Sequence, residues 1–289
     1  MDIEVRIEDW AHLQQELFLE TPSDYLGRFR SPYAFRGLTD AAFPLSTSLM
    51  RLNNCWSVDQ NLEDIEEKLL ASFRMYAYKL KESELSYWFW LSLAQHHGLP
   101  TRLMDWTWSP YVALHFATAN LGLSGDDKDA VIWCVNVETA HKYLPNKPKK
   151  ILTEIVKMAF VADVMNDVAK DLEELSALSE EAFVVFFEPP SIDDRIVNQF
   201  ALFSIMSTPR DQMDVWLAEK VELCEDDAFP LYRKIVIPHA LKWEIRDKLD
   251  NANITERMLF PGLEGLSAWL KRHYSCGPLM GQLEKPIDR

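Results

Sequence analysis

The stretch from Gln95 to Thr107 carries the side chains best suited to chemistry in this 289-residue chain. It contains imidazole, guanidinium, carboxylate, indole and hydroxyl groups, at His96, His97, Thr101, Arg102, Asp105, Trp106 and Thr107. Gly98 and Pro100 interrupt any regular element there, so we expect these groups to project from an irregular turn. Loops held by a rigid scaffold are frequent places for ligand sites, and the stretch therefore predicts a site.

Arginines elsewhere in the chain are suited to an anionic ligand. Arg36 stands between Phe35 and Gly37, where its planar fork suits a phosphate or diphosphate and the glycine allows close approach. The alternative is a structural arginine that pairs with a carboxylate. Arg195 and Gln199 lie four residues apart, so they share one face on a helix or on a strand. They either enter a pocket together or form an exposed polar stripe.

The histidines of the stretch are candidates for catalysis or for metal binding. On a helix, His96 and His97 would point ~100° apart, so both rings cannot easily face one ligand. His97, beside the glycine break, is the better catalytic candidate. A metal site would also need Asp105 or His115, and would make the chain a metal-dependent nuclease. The scarcity of basic residues and of clustered carboxylates argues against that interpretation.

The remaining polar groups of the stretch also have structural roles open to them. Asp105 either orients His97 or pairs with Arg102 as a loop clip, which is the commoner use of an Arg–Asp pair. Thr101 and Thr107 either touch a ligand or cap backbone amides. The sequence leaves these alternatives open.

Helices on both sides must position the stretch. Apolar residues at intervals of three and four predict a helix over 62–80, and an aromatic-rich helix over 84–96 ends at Gly98. A third helix over 109–120 begins with an N-cap serine followed by proline. The stretch therefore bridges the end of one helix and the start of the next.

Helices and strands do not alternate regularly in the rest of the chain. Apolar, β-branched runs predict strands over 130–137, 183–187, 200–206 and 234–237. Helical patterns cover 149–177, 239–250 and 262–273. This order favours an α+β fold in a single domain over a doubly wound sheet.

Composition narrows the class of protein. Hydrophobic residues make up 48% of the chain, enough for a large core, and the formal net charge is −15. Because duplex nucleic acid attracts basic surfaces, we do not expect broad non-specific nucleic-acid binding. The four cysteines show no C-x-x-C spacing, which argues against a zinc site and a disulfide framework. No apolar run reaches the ~20 residues of a membrane span, and the first residues lack a signal-peptide core, so we expect a cytoplasmic protein without a membrane partner.

Three segments of the chain resemble the FRG-domain family, which is named for a Phe/Tyr-Arg-Gly fragment. Residues 35–37 are that fragment. Residues 95–107, with the helix start that follows, resemble the family's longest motif nearly residue for residue. Residues 195–199 resemble its third motif, but Phe200-Ala201 stands where a glycine is common.

The resemblance spans about residues 33–272. It implies an FRG-type domain over 31–275, an N-terminal segment over 1–30 that packs on the core, and a loose C-terminal tail over 276–289.

The resemblance also implies a distant similarity to ADP-ribosyltransferases, with a split β-sheet core and several flanking helices. The substrate would then be NAD or a related nucleotide, and the acceptor an unknown macromolecule in a bacterial toxin or phage-defence context. The implied catalytic residues are Arg36, His97 and Gln199. The implied NAD-binding residues are Arg36, Arg102, Asp105, Trp106, Thr107 and Arg195.

Two positions in this assignment remain open. Trp106 or Trp108 would stack on a base or on nicotinamide. Gln199 or Glu188 would occupy the place of the transferase glutamate, but an amide cannot deprotonate an acceptor. A non-enzymatic module that binds a nucleotide, a modified end or a protein partner is therefore the alternative to an enzyme.

Overall fold

Strands from both ends of the chain and from its middle meet in one mixed sheet. The computed structural model describes residues 2–18, 21–23, 27–53, 61–77, 85–121, 128–155, 157–221 and 229–277. The strands are β1 (Glu4–Arg6), β2 (Thr21–Ser23), β3 (Arg28–Arg30), β4 (Tyr33–Leu38), β5 (Leu103–Thr107), β6 (Ala130–Asn136), β7 (Phe160–Val161), β8 (Val184–Glu188), β9 (Ala201–Met206) and β10 (Tyr232–Ile237). Within the described residues, eight of them form a sheet in the order β1-β10-β6-β4-β5-β9-β8-β7, and β2 pairs with β3.

Helices cover both faces of this sheet. They are α1 (Trp10–Leu17), α2 (Ser48–Asn53), α3 (Leu62–Tyr76), α4 (Tyr87–His96), α5 (Pro110–Ala117), α6 (Val137–His141), α7 (Asn146–Ile155), α8 (Met165–Val168), α9 (Leu172–Ser176), α10 (Asp194–Asn198), α11 (Met213–Val221), α12 (Lys242–Asn251), α13 (Glu256–Leu259) and α14 (Leu263–His273). The architecture is α+β, as the sequence predicts.

Three hydrophobic clusters show how the layers pack. On one face of the sheet, α6 and α11 cover a cluster that includes Trp106, Trp133 and Trp216. On the other face, α1, α5 and α12 cover the β4–β6–β10 side. On that same face, α3, α4, α8 and α9 cover the β5–β9–β8 side. The two helix groups leave a cleft between them, above β4 and β5.

The sheet is nearly split along this cleft. β4 and β5 are joined at one register pair, Phe35 with Thr107. By contrast, β4 pairs with β6 along its whole length, from Tyr33 to Leu38, and β5 pairs with β9 from Leu103 to Thr107. Beyond the single pair the two central strands diverge, and their facing backbone groups need other partners.

Caps fix the helices on either side of the cleft where the sequence places them. Ser86 accepts a hydrogen bond from the Phe89 amide and starts α4. Gly98 ends α4 with φ +83°, and its amide and the next one donate back to the carbonyls of the last turn. Ser109 caps α5, with Pro110 in the first turn. The stop at Gly98 and the start at Ser109 and Pro110 are confirmed, whereas the Ser86 cap was not predicted.

Gly37 allows α5 to lie directly on β4. A Cβ atom at this position would stand 1.9 Å from the Ala113 carbonyl oxygen and 2.6 Å from the Ala117 nitrogen. The glycine of the Phe35–Gly37 fragment therefore provides close approach for a helix, whereas the sequence suggested close approach for a ligand.

Other predictions need correction. The second half of the 95–107 stretch is not an irregular turn, because residues 103–107 form β5 at the centre of the sheet. The 149–177 region is not one or two helices; three short helices and β7 share it. Residues 78–80, 84 and 278–289, which complete two predicted helices and the tail, lie outside the described residues. In the part of the chain that is described, no helix combines the length and apolarity that crossing a bilayer requires.

Substituting Gly37 tests the contact between α5 and β4. Gly37→Ala should lower the free energy of unfolding by about 3 kcal/mol or more, because backbone atoms cannot move aside as a flexible side chain would. Gly277→Ala is the matched control, since its Cβ would meet Trp243 at an ordinary 3.9 Å. Denaturant unfolding of both variants measures the difference. Equal stability of the two variants would contradict the contact.

Candidate functional site

The cleft above β4 and β5 holds a pocket of about 600 Å³. This volume is within the usual range of small-molecule sites. The lining residues come from β4, β5, β9, α4, α5 and α10. They are Phe35, Arg36, Gly37, Gln95, His96, His97, Gly98, Asp105, Trp106, Thr107, Ala113, Phe116, Arg195, Ile196, Gln199, Ala201 and Phe203.

Arg36 bridges the split between the two central strands. Its guanidinium donates to the main-chain carbonyl of Asp105, which β4 leaves unpaired. Its Nε is buried and has no hydrogen-bond partner. Burial lowers the pKa of Arg36, and nearby Arg51 adds to this, whereas Asp105 opposes it. The half-buried Arg36 lines the pocket, and its covered Nε remains without an acceptor.

Asp105 is held by a short polar relay. Gln95 donates to its carboxylate at 2.9 Å, and the Thr101 hydroxyl donates to the Gln95 amide oxygen at 2.7 Å. Asp105 is therefore oriented by Gln95, and not through the pair with Arg102 that the sequence left open. Its carboxylate remains exposed to the pocket.

His96 ties α4 to α10 across one wall of the pocket. Its Nε2 lies 2.6 Å from an Asp193 carboxylate oxygen. Asp193 also caps α10 by accepting from the Ile196 amide at 3.1 Å. Desolvation raises the pKa of Asp193, but the Ile196 amide and His96 outweigh it and leave the pKa below its ordinary value. His97, at the end of α4, lines the pocket separately.

Helix α10 brings Arg195 and Gln199 into the same pocket. The helical alternative is therefore the one the structure adopts at 194–198. The Arg195 guanidinium lies 5.0 Å from the Phe260 ring centroid. The Gln199 amide donates to the Leu259 carbonyl at 2.9 Å, and the Gln199 carbonyl accepts from Thr107 at 2.7 Å.

Arg102 lies outside the pocket, so its expected place among the NAD-binding residues needs correction. Its Nε donates to the Glu66 carboxylate at 2.6 Å, and its amide donates to the other Glu66 oxygen at 2.9 Å. The guanidinium also bonds the Ser207 carbonyl. Both side chains are buried, so Arg102 holds α3 against the sheet rather than binding a ligand.

Neither tryptophan of the segment presents its ring to the pocket. Trp106 contributes to the wall, but its indole packs against Phe186 and donates to Ser204 at 2.8 Å. Trp108 donates to Glu188 at 3.3 Å, and these two residues are not among the lining set. Strand alternation explains this for Trp106, because Asp105 and Thr107 take the pocket face of β5.

The threonines of the stretch have the structural roles that the sequence left open. Thr101 accepts from the Leu103 amide at 3.0 Å, and Thr107 accepts from the Ser109 amide at 3.0 Å. Thr107 also lines the pocket.

His115 is a buried neutral residue that is not part of the pocket. Burial lowers its pKa to about 3, and Arg246 lowers it further, whereas Glu256 opposes this. Among the described residues, no group of three or more His, Cys, Asp and Glu side chains could hold a metal ion.

Phe200 adopts a backbone conformation that favours glycine. It follows α10 with φ +48°, and 57% of the residue is exposed. A bulky side chain in this region stores strain.

Sequence reasoning missed several residues that shape the site. Phe116 and Phe203 line it, and Asp193 anchors its α10 wall. Only Asp193 had a local signal, because an aspartate before a short apolar turn is a common N-cap.

The buried state of His115 predicts a pH dependence of stability. An unfolded histidine binds a proton below pH ~6.5, whereas folded His115 does not until about pH 3, so acid favours unfolding. When the pH falls from 7 to 5, the unfolding free energy of the unmodified chain should decrease by about 2 kcal/mol more than that of the His115→Asn variant. Denaturant unfolding at both pH values measures this, and His141, also buried, is present in both proteins. Identical pH slopes would show that folded His115 binds its proton as readily as unfolded histidine, and would contradict the lowered pKa.

Relief of strain at position 200 is a further expectation. Phe200→Gly should raise the unfolding free energy by about 0.5–1 kcal/mol, because glycine adopts positive φ without a Cβ clash. Val197→Gly is the control, since Val197 is similarly exposed but lies within α10, where glycine costs about 1 kcal/mol. Thermal unfolding compares them. A loss of stability in both variants would contradict the strain.

Residues 31–124 match the family model of the FRG domain. No curated protein and no solved structure shows a significant match to the chain. The matched residues supply Arg36 and the 95–107 side of the pocket, whereas Arg195 and Gln199 lie beyond them.

Proposed function

Because the chain carries an FRG domain, we propose that the pocket of this domain binds NAD and transfers its ADP-ribose to a macromolecule. One observation carries the proposal: Arg36, His97, Asp105, Arg195 and Gln199 line a single cavity in the split of the sheet. Two guanidiniums, a carboxylate, an imidazole and an amide are the groups that a dinucleotide requires.

The arginines supply the diphosphate site. Arg36 has a buried Nε without a partner, and an anion that accepts from it would satisfy a group that otherwise costs free energy. Arg195 lines the same pocket from α10. A diphosphate between them would receive charge-assisted hydrogen bonds from both sides.

The other lining groups are suited to the sugar and rings. The exposed Asp105 carboxylate can accept hydrogen bonds from ribose hydroxyls, and Gln199 also lines the pocket. Phe116 provides an apolar surface for a ring, a role that the sequence assigned to Trp106 or Trp108.

The proposed reaction breaks the bond between the ribose C1′ and the nicotinamide nitrogen. Nicotinamide leaves as a neutral molecule with the bonding electron pair, which leaves positive charge on the ribose. The acceptor's nucleophilic atom then bonds to C1′, and its proton passes to His97. Nicotinamide and one proton are released for each ADP-ribose transferred. Asp105 would stabilise the developing positive charge electrostatically.

The split sheet supports an ADP-ribosyltransferase-like core as part of this proposal. Here the separation lies between β4 and β5, and a strand arginine enters it.

A binding module without catalysis is the second candidate, and one observation favours it. Gln199 occupies the place considered for a transferase glutamate, and its amide already donates to Leu259. Glu188 is bonded to Trp108, outside the pocket. A module of this kind would bind the nucleotide and leave the glycosidic bond intact.

Labelled NAD tests the proposal directly. The purified chain, incubated with nicotinamide-labelled NAD and a cell lysate, should release nicotinamide. Arg36→Ala should lower this rate by at least about a hundredfold, because a phosphate donor is lost from the pocket. Arg210→Ala is the control, since Arg210 is exposed and outside the pocket.

Calorimetry on the same proteins separates the two candidates. NAD binding without nicotinamide release would establish the module and refute the transferase. The absence of both binding and release would refute both candidates, provided that circular dichroism shows the folded chain.

A further inference from the structure

A second cavity lies on the other face of the sheet. It has a volume of about 530 Å³ and is walled by the loop 41–44 and by α11. Its floor consists of Trp133 on β6 with Tyr232 and Lys234 on β10. We call this cavity the aromatic groove. Trp133 and Tyr232 belong to the cluster that α6 and α11 cover, whereas the first pocket opens toward α4 and α5.

The floor of the aromatic groove has an unmet hydrogen-bond donor. Trp133 is 5% exposed, and its indole Nε1 has no acceptor. Its ring stacks on Tyr232 with 5.5 Å between centroids, and the Lys234 ammonium lies 4.6 Å from the Trp133 ring. Both side chains hold the indole in place, so the free N–H is a fixed feature of the groove.

The α11 wall has an unmet carboxylate. One Asp214 oxygen is buried without a donor, and Glu219, five residues further along α11, lines the same wall. Neither residue forms an ion pair within the described ranges. Lys234 does not neutralise them fully, because it pairs with Glu4 at 3.5 Å. Burial raises the pKa of Tyr232, and Asp214 and Glu4 raise it further, which indicates negative potential at the floor.

The Trp133 N–H without an acceptor and the Asp214 oxygen without a donor indicate which ligand fits the groove. We propose that the aromatic groove binds a basic peptide segment of a protein partner. An arginine or lysine places its cation against Asp214 and Glu219, and a main-chain carbonyl of the same segment accepts from Trp133. The aliphatic stem of that residue packs on the aromatic floor.

Other ligand classes satisfy only one of these groups. A polyamine carries cations but offers no acceptor to the indole. A neutral sugar offers acceptors but no cation, and an anionic nucleotide is repelled by the two carboxylates. Phe43 and Val215, 52% and 51% exposed on the two rims, add apolar contacts that suit a peptide. The inference does not depend on NAD binding in the first pocket.

Indole NMR of the full chain tests this proposal. The Trp133 signal in ¹⁵N-tryptophan-labelled protein is identified by its loss in Trp133→Phe. The probe is a capped hexapeptide with a central arginine between leucine and proline, and the matched probe has citrulline in place of arginine. The arginine peptide should move the Trp133 signal to saturation and bind at least about tenfold more tightly than the citrulline peptide.

Asp214→Asn should remove this preference for arginine, whereas Glu154→Gln, an exposed carboxylate outside the groove, should keep it. Dispersed indole signals in each variant show that it is folded. The comparison of the two peptides uses the unmodified chain and does not require any variant to fold. Equal affinity for both peptides overturns the proposal. The proposal is also overturned if maltohexaose, spermine or free arginine moves the Trp133 signal with higher affinity than the arginine peptide. It is likewise overturned if no probe moves that signal.

Discussion

A single register pair, Phe35 with Thr107, joins the two halves of the sheet, and the central pocket depends on it. If β4 and β5 were paired along their whole length, the floor of the central pocket would be continuous sheet and no cavity would form there. The two halves stay separate because each has its own helices and hydrophobic cluster on this face. Gly37 fixes one of those helices against β4, since no side chain fits between the strand and Ala113. Helix packing therefore sets both the width and the position of the opening.

Arg36 is suited to such an opening for physical reasons. Diverging strands leave main-chain carbonyls without partners, and an unpaired buried carbonyl is costly. A guanidinium has five donors in one plane, so it can satisfy the Asp105 carbonyl and still present a donor to a ligand. Lysine lacks this planar fork. The structural and ligand-binding interpretations of Arg36, which the sequence presents as alternatives, are thus compatible in one side chain.

Local signals predicted much of the fold. Caps and periodicity located α3, α4 and α5, because Gly98 and Ser109 act through adjacent backbone groups. They did not predict β5, since its pairing with β9 joins residues about a hundred positions apart. Arg102 was placed wrongly for the same reason, because its partner, Glu66, lies on a distant helix. The convergence of Arg36, Asp105 and Gln199 was expected from resemblance, but spacing alone did not reveal it.

Arg36 in the split of the sheet is the feature on which dinucleotide binding would depend. The most direct measurement is a crystal structure of the chain soaked with NAD or a non-hydrolysable analogue. We expect diphosphate oxygens within hydrogen-bond distance of the Arg36 guanidinium, with Arg195 on their other side. Nucleotide density elsewhere on the molecule, or a saturating soak that leaves the cleft above β4 and β5 empty, would contradict it.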